Sequence, residues 1–407
     1  MNAARPAIAS GPAAILFAAV LMLALVEFGQ VWFYPAAEAG SELTRPFGGA
    51  FRMSLWIAAT ACILAHALRC GAADLVWALA PFVPFVLWGG AVVVFWSIDR
   101  NAGVRTLVFW ALATGLAAAA AFEIGPEALA RTVARMFLAV VAGSLVVAVL
   151  APDSATTAYG DTAAIRGLFP HKNAFGWFCA LGLIWTAGTR RDLGTPLAAL
   201  TAGVMTAGLL VSGSRTAAAM LPAVAAYGLV LRLCLRVFWD GARAVLALVI
   251  LAVAAGILAV LVGPQLLEMV GRDATLTGRT DVWRHYLAYL HDRPLTGYGT
   301  GILSSDTELN RAIGGAVPGY EAQALRSPHS LYVGLASETG MVGVAFFVGA
   351  QAYIALVTPF RRLTPWSRTS GALAVAILLA GISEMRDGFI PGAATLLLIA
   401  ARAAALR

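Results

Sequence analysis

The chain has few charged residues: only 12% of its 407 residues are Asp, Glu, Lys or Arg, whereas 60% are apolar. A soluble protein of this length needs a more polar surface than that. The composition therefore argues against a nucleic-acid-binding domain despite a net charge of +7, and its hydrophobicity excludes disorder. Together with a mean hydropathy of +0.82, it predicts an integral membrane protein.

Lysine and cysteine are also scarce, and several motifs are missing. Lys172 is the only lysine, and Cys62, Cys70, Cys179 and Cys234 lie in or at the ends of apolar stretches, where packing is their expected role. We expect that these cysteines and the five histidines form no pair with the spacing of metal ligands. There is no aspartate-rich sugar-nucleotide motif and no Walker-type phosphate loop. No metal or cofactor is therefore predicted.

Apolar stretches separated by polar breaks predict an all-α polytopic protein with about twelve transmembrane helices. The first stretch runs through Glu27 to Tyr34 without a small-residue cleavage site, so we expect it to be retained. One large extramembrane segment, residues 263–327, separates spans 9 and 10. The predicted centres fall near residues 22, 58, 86, 112, 141, 179, 203, 223, 253, 342, 378 and 396.

The distribution of arginines predicts the orientation. With a cytoplasmic N terminus, fourteen arginines fall in cytoplasmic segments and eight basic residues in the short segments of the other face. Both termini are therefore predicted to be cytoplasmic, with the long loop outside. The chain divides into residues 1–160 with five spans, 161–262 with spans 6–9, the loop 263–327, and 328–407 with spans 10–12. A carrier with two six-helix halves would usually place its long connection between spans 6 and 7. The position of the long loop after span 9 therefore argues against a transporter.

Four polar clusters are predicted on the outer face, and the first contains Arg166, His171, Lys172 and Asn173. Pro170 suits the first turn of a helix, so the three residues after it would lie beside free backbone N–H groups. The positive end of a helix is a natural anion site. The alternative is an interfacial anchor in which Lys172 reaches lipid headgroups.

The second cluster, residues 212–216, forms a tight turn between spans 7 and 8. Ser214 is the predicted N-cap of the next helix, and this places Arg215 at a positive helix end. A cation is disfavoured there unless it shares an anion, which predicts an anion site. Contacts of Arg215 with loop carbonyls or lipid phosphate are the alternative.

The third cluster lies in the long loop, where Arg279 lies at the start of a helix and Tyr298 in the glycine-rich turn after it. We interpret Arg279 and the glycine-rich turn, at the two ends of this helix, as the rim of a polar cavity. The helix between them has an apolar face that could lie on the bilayer surface. This face comprises Val282, Trp283, Tyr286, Leu287 and Leu290.

The fourth cluster opens span 10. Ser327 as N-cap and Pro328 at the first helical position would fix His329 at a positive helix end, which favours a neutral imidazole. Such an imidazole accepts a proton near pH 7. Glu338 lies about 13 Å further along the helix and on its opposite face, where it could balance an arginine from another helix. The alternative for His329 is an interfacial amphipathic side chain.

Taken in chain order, these motifs resemble those of the O-antigen ligase and polymerase superfamily, and the His-Lys-Asn form of the first motif is most similar to its exopolysaccharide polymerase branch. The resemblance covers about residues 160–345. One position departs from the common pattern, because Ser330 stands where Asn usually follows the histidine. The motifs are Gly167 to Gly176, Ser212 to Thr216, Gly278 and Arg279 with Trp283, Gly297 to Gly299, and His329 to Tyr332 with Glu338 and Gly340.

The resemblance implies a GT-C-like, metal-independent, inverting glycosyltransferase at the periplasmic face of a bacterial inner membrane. The implied donor is an undecaprenyl-diphosphate-linked oligosaccharide, and the acceptor is a saccharide or lipid A core. Flippase and chain-length regulator proteins are implied partners, besides membrane lipids. The implied catalytic residues are Arg215 and Arg279 on the diphosphate and His329 as base or acceptor-positioning group. The implied substrate-binding residues are Arg166, His171, Lys172, Asn173, Ser214, Tyr298 and Glu338.

Three functions are consistent with these features. The first is a polymerase that adds lipid-linked repeat units to an exopolysaccharide, capsule or O-antigen. The second is a ligase that transfers finished chains to lipid A core, and the third is a flippase or transporter of lipid-linked sugars. The chemistry of the motifs favours an enzyme, because two arginines can stabilise a departing diphosphate without a general acid.

Overall fold

The computed structural model describes residues 11–31, 49–159, 162–238, 241–251, 279–305, 307–317, 325, 327–384 and 387–407. These residues are almost entirely helical. One antiparallel hairpin pairs β1 (Thr156–Tyr159) with β2 (Thr162–Ile165).

The helices of the first half of the chain precede and follow this hairpin. A 3-10 turn at Ala80–Phe82 joins α3 to α4. In chain order they are α1 (Pro12–Phe28), α2 (Gly49–Cys70), α3 (Ala73–Leu79), α4 (Val83–Phe95), α5 (Arg100–Ile124), α6 (Pro126–Leu150), α7 (Pro152–Ala155), α8 (Lys172–Leu193), α9 (Thr195–Ser212) and α10 (Arg215–Val237).

The second half contains one helix before the long loop, two helices within the loop, and the C-terminal helices. A 3-10 turn at Ile302–Ser304 lies in the loop, and a π-helical turn at Tyr353–Val357 follows α14. The helices are α11 (Gly241–Leu251), α12 (Arg279–Leu290), α13 (Glu308–Ala316), α14 (Leu331–Ala352), α15 (Thr358–Arg361), α16 (Pro365–Ala380) and α17 (Ala393–Leu406).

Within the residues that the structure describes, seven helical segments are long and apolar enough to cross a membrane, which confirms a polytopic membrane protein. They are Gly49–Cys70, Ala73–Phe95, Arg100–Ile124, Pro126–Leu150, Thr195–Ser212, Arg215–Val237 and Leu331–Arg361. Eleven of the predicted span centres lie within described helices, while residue 253 lies outside the described residues. The count of twelve and the cytoplasmic placement of both termini stay predictions.

Helix α5 forms the centre of one part of the bundle. It packs against α17, α2, α1 and α4, and residues Ala117 to Ala121 are all fully buried. Five consecutive alanines let neighbouring backbones approach on every side, as is typical of helix packing in membranes. Large apolar side chains point outward from the bundle instead, for example Leu68 on α2 and Leu210 on α9.

Helix α8 organises the other part of the bundle, because it packs against α9, α6, α16 and α10. The helix begins at Lys172 with His171 as its N-cap. Pro170 therefore precedes the cap, and the expectation that it occupies the first helical turn is wrong. The start of α8 also lies against the start of α10, since a Cβ atom on Gly176 would come within 2.3 Å of the Cβ of Ser214.

The long loop contains a small hydrophobic core of its own. Val282 and Tyr286 of α12 pack in it with Ile302, Leu303, Leu309, Ile313, Val317 and Leu325, and Leu290 of the same helix is buried as well. The Tyr286 hydroxyl donates to the carbonyl of Leu325 at 2.6 Å. The expectation that this face of α12 lies on the bilayer is therefore wrong for these three residues, because protein covers them.

Candidate active site

Two of the predicted motifs meet at Glu384, a residue that follows α16. Its Oε1 atom lies 3.5 Å from Nη2 of Arg279 and accepts a hydrogen bond from Nδ2 of Asn173 at 3.4 Å. Arg279 also donates to the carbonyl of Ser383. The predicted residues Asn173 and Arg279 thus share one carboxylate, although they come from different parts of the chain.

His329 lies in the electrostatic field of this network. Burial and the positive charge of Arg279 lower the pKa of His329 below its ordinary value of 6.5, and the carboxylate of Glu384 opposes them. The direction agrees with the expectation of a neutral imidazole. The cause differs, because burial and Arg279 produce the shift rather than a helix end.

The backbone around His329 departs from the predicted helix start. Helix α14 begins at Leu331 with Ser330 as its N-cap, so Ser327 is not the cap and Pro328 is not helical. The Oγ of Ser327 instead accepts a hydrogen bond from the backbone N–H of His329 at 3.3 Å. His329 has a φ of 52°, a left-handed conformation that is uncommon for a residue other than glycine.

Contacts on both sides hold this strained segment. The indole Nε1 of Trp283 on α12 donates to the carbonyl of Pro328 at 2.8 Å. On the other side, the backbone N–H of Leu331 donates to the carbonyls of Gly381 and Glu384. Ser330, at the position where Asn is common, accepts from Val333 N at 3.5 Å and donates to the carbonyl of Gly381 at 3.3 Å. The loop helix and the segment after α16 therefore fix the position of His329.

The other residues of the first motif shape the start of α8. His171 accepts a hydrogen bond at Nδ1 from the backbone N–H of Asn173, at 3.1 Å. Arg166 is almost completely buried and donates to the carbonyl of Phe169 at 3.1 Å, so it holds the turn before the helix. Lys172 is half-buried at the first helical position. Asn173 is the member of this motif that contacts the Glu384 network.

The second motif lies beside the start of α8. Ser214 occupies the N-cap position of α10, but its side chain makes no capping bond, which corrects its predicted role. Its buried Oγ has no hydrogen-bond partner among the described residues. Arg215 is exposed at the first position of α10 and forms no hydrogen bond or ion pair with the described part of the chain. The structure therefore joins Asn173, Arg279 and His329, but it does not join Arg215 to them.

Tyr298 and Glu338 form part of the scaffold. The Tyr298 hydroxyl donates to the carbonyl of Tyr289 at 2.7 Å, and Oε1 of the buried Glu338 accepts from the backbone N–H of Gly301 at 2.8 Å. Burial raises the pKa of Tyr298. Within the described parts of the chain Glu338 pairs with no arginine, and the partner that the structure shows is the backbone of the glycine-rich turn.

That turn packs directly on a break in α14. The backbone N–H groups of Tyr298 and Gly299 donate to the carbonyls of Ser337 and Glu338 at 2.8 and 2.9 Å. Gly340 has a φ of 66°, and a Cβ atom there would lie 2.1 Å from the backbone carbon of Leu295. Only glycine fits both this conformation and this approach. The long loop is therefore anchored within span 10.

A cavity of about 360 Å³ adjoins the cluster. It lies between the end of α1, the first turns of α8 and α14, and residues 387–393. Its walls include Ala174, next to Asn173, and Ser327, two residues before His329. Carboxylates and aromatic rings line it as well, among them Glu27, Glu338, Asp387, Trp177 and Phe389.

Sequence reasoning missed Glu384. Its signal was present, since Glu384 and Asp387 are acids at the end of predicted span 11, on the side of the membrane that the sequence predicts to be the outer one. Sequence reasoning also missed a ligand-spaced pair: His66 and Cys70 are four residues apart on α2, and Glu123 of α5 joins them. The statement that no such pair exists is wrong.

The geometry defines a membrane protein with an arginine, a histidine and a carboxylate gathered beside a cavity. Residues 200–348 match the family described as O-antigen ligase. This match supports membership of the O-antigen ligase and polymerase superfamily. No curated protein matches it. Arg215, Arg279 and His329 lie within the matched segment, whereas Asn173 and Glu384 lie outside it. The family match indicates a ligase-like or polymerase-like membrane enzyme, and the family implies a lipid-linked saccharide and an acceptor as substrates.

Proposed function

We propose that the protein is an inverting, metal-independent glycosyltransferase that polymerises undecaprenyl-diphosphate-linked repeat units at the periplasmic face of the inner membrane. The observation that carries this proposal is the cluster of Arg279, Glu384 and His329 beside the cavity. It combines a cation for a diphosphate with a neutral imidazole for a hydroxyl proton.

In the proposed reaction, an acceptor hydroxyl attacks the anomeric carbon of the donor sugar and forms a new C–O bond. The bond from that carbon to the diphosphate oxygen breaks, and the diphosphate leaves with the electron pair. Attack from the opposite face inverts the anomeric centre. The hydroxyl proton passes to His329, which its surroundings keep neutral.

Arg279 stabilises the charge that develops on the leaving diphosphate. A guanidinium that is already held in place needs little reorganisation, and this is the condition under which electrostatic stabilisation is strongest. Glu384 and the carbonyl of Ser383 hold it. Exposed Arg215 is our proposed second cation, and Lys172 and His171 at the start of α8 add polar groups near Asn173. Substrate binding would have to bring Arg215 to the diphosphate.

The cavity beside the cluster is our proposed place for saccharide. Sugars bind to carboxylates through their hydroxyl groups and to aromatic rings through their C–H faces. Glu338 and Asp387 supply the first kind of group, and Trp177 and Phe389 the second. Since Ser327 lies in the wall, a sugar there would be close to the segment of His329.

A reconstituted assay tests the proposal. Purified protein in liposomes is given undecaprenyl-diphosphate-linked repeat units from the host, and the products are separated by length. A ladder of longer lipid-linked chains, formed in the presence of a chelator and dependent on His329, supports polymerisation. Consumption of the donor only when lipid A core is added supports the ligase function instead.

The transporter function makes a different prediction. A flippase would move the lipid-linked saccharide across the liposome membrane without forming a glycosidic bond. His329→Ala and Arg279→Ala proteins would then retain transport activity. Normal transport together with no glycosyl transfer from pre-flipped donor would reject the enzyme function.

A further inference from the structure

A cluster of potential metal ligands lies far from the candidate active site, in the last turns of α2 and α5. His66 and Cys70 are four residues apart on α2 and therefore lie on one face of the helix. Glu123 approaches them from α5. One ligand atom from each of the three residues lies within 4.8 Å of the other two.

The individual distances place one carboxylate oxygen at the centre of the group. Oε1 of Glu123 lies 2.9 Å from Nδ1 of His66 and 3.7 Å from Sγ of Cys70. His66 and Glu123 are both almost completely buried. The Nε2 atom of His66 is buried without a partner among the described residues, so this ring makes its polar contact only inside the cluster.

The other carboxylate oxygen has a different partner. Nη1 of Arg69 donates to Oε2 of Glu123 at 3.0 Å. This contact orients the carboxylate and leaves Oε1 facing His66 and Cys70, which is the arrangement of an outer-shell residue at a metal site. A complex of a divalent ion with one thiolate and one carboxylate carries no net charge. The bound ion would therefore not repel the positively charged Arg69 beside it.

The cluster is remote from the candidate active site. Gly103, near the start of α5, lies against Thr300 of the glycine-rich turn, whereas Glu123 is in the last turn of the same helix. Twenty residues of helix correspond to roughly 30 Å. An ion bound here would join α2 to α5 and would not meet the substrate.

We propose that His66, Cys70 and Glu123 bind a divalent transition-metal ion of the Zn²⁺ class. Nitrogen, sulfur and one carboxylate oxygen form a ligand set typical of zinc, with a fourth position for water. Binding displaces the thiol proton of Cys70 to solvent and forms a metal–thiolate bond. The ion stabilises the packing of two membrane helices.

Cobalt is the probe that tests this site. The purified full-length protein in detergent is stripped with a chelator and titrated with Co²⁺, and thiolate-to-cobalt charge transfer is followed by absorption. We expect one equivalent of Co²⁺ with a charge-transfer band that Zn²⁺ abolishes by displacement. Cys70→Ser should remove the band, and it should weaken Zn²⁺ binding by more than the roughly 10- to 100-fold typical of lost outer-shell contacts.

Cys62→Ser is the matched control, because Cys62 is the other free cysteine of α2 and lies outside the cluster. It should keep the band and the affinity. The proposal would be overturned if Co²⁺ did not bind stoichiometrically, or if the band persisted in Cys70→Ser. The cluster would then be a hydrogen-bonded network without a metal. If Cys70→Ser does not fold, alkylation of the wild-type protein decides. Zn²⁺ should slow the modification of half-buried Cys70, and equal rates with and without Zn²⁺ would overturn the site.

Discussion

Nη2 of Arg279 and Oε1 of Glu384 lie 3.5 Å apart, and this ion pair joins the long loop to the segment after α16. Asn173 donates to the same Oε1 atom, so one carboxylate connects α8, α12 and the end of α16. His329 lies in the field of both charges. Glu384 is therefore a positioning residue in the proposed reaction.

Loss of Arg279 should abolish most of the transfer activity. Arg279→Ala removes the proposed contact with the leaving diphosphate, and the turnover rate should fall by about 10² to 10³-fold, as for other groups that stabilise developing charge. Arg279→Lys should restore activity only in part, because lysine lacks the planar fork. Initial rates of chain extension in liposomes measure both effects.

Arg284→Ala provides the control on the same helix. Arg284 is exposed and pairs with Asp281 at 2.8 Å, away from Glu384. This variant should retain wild-type rates. Equal losses in Arg279→Ala and Arg284→Ala would show that the loop needs positive charge in general and would contradict a specific role of Arg279.

The pH dependence of the rate should report on His329. The proposed base acts as neutral imidazole, and its pKa lies below 6.5. The rate should therefore be flat near neutral pH and should decline as the pH falls through this lowered pKa. His329→Ala should lose the activity, while a decline centred above pH 6.5 would contradict the assignment.

Glu384→Gln should change both the rate and its pH dependence. The amide keeps a similar shape but loses the charge that holds Arg279, so the rate should fall roughly 10- to 100-fold, the equivalent of one charged hydrogen bond. Because the carboxylate raises the pKa of His329, its removal should move the acid limb to lower pH. A purely structural role of Glu384 would lower the amount of folded protein and leave the position of the limb unchanged.

Gly340→Ala should destabilise the protein. The residue has a conformation that is nearly exclusive to glycine, and a Cβ atom would meet the backbone of the glycine-rich turn. The cost should be at least about 1–3 kcal/mol, measured as a lower midpoint of thermal unfolding in detergent. Gly349→Ala on the same helix has open space and should leave the midpoint unchanged or raise it, because alanine is the better helix former.

The sequence alone predicted the class of fold and several of the residues that the structure gathers around Glu384. Hydrophobic runs located the membrane helices because each must be long and apolar. The polar clusters, taken in chain order, predicted Asn173, Arg279 and His329 as site residues. The structure places these three residues close together. Arg215 was also predicted as a site residue. The transfer activity of the Arg215→Ala variant tests that prediction.

Other features depended on tertiary contacts that the local pattern does not contain. Glu384 is an unremarkable acid at the end of a span until α8 and α12 pack beside it. Ser330 rather than Ser327 caps α14, because Trp283 holds the intervening backbone in an unusual conformation. The apolar face of α12 indicated a surface helix, but the remainder of the loop supplies its own covering residues.

The length of lipid-linked saccharides in a gene-deletion strain tests the central claim most directly. Deletion, complemented separately with the wild-type gene and with His329→Ala, should give single undecaprenyl-linked repeat units in the deletion and in the variant, and normal chain lengths with wild type. Accumulation of long lipid-linked chains would indicate a ligase. A pool unchanged in amount and length would contradict both enzymatic functions.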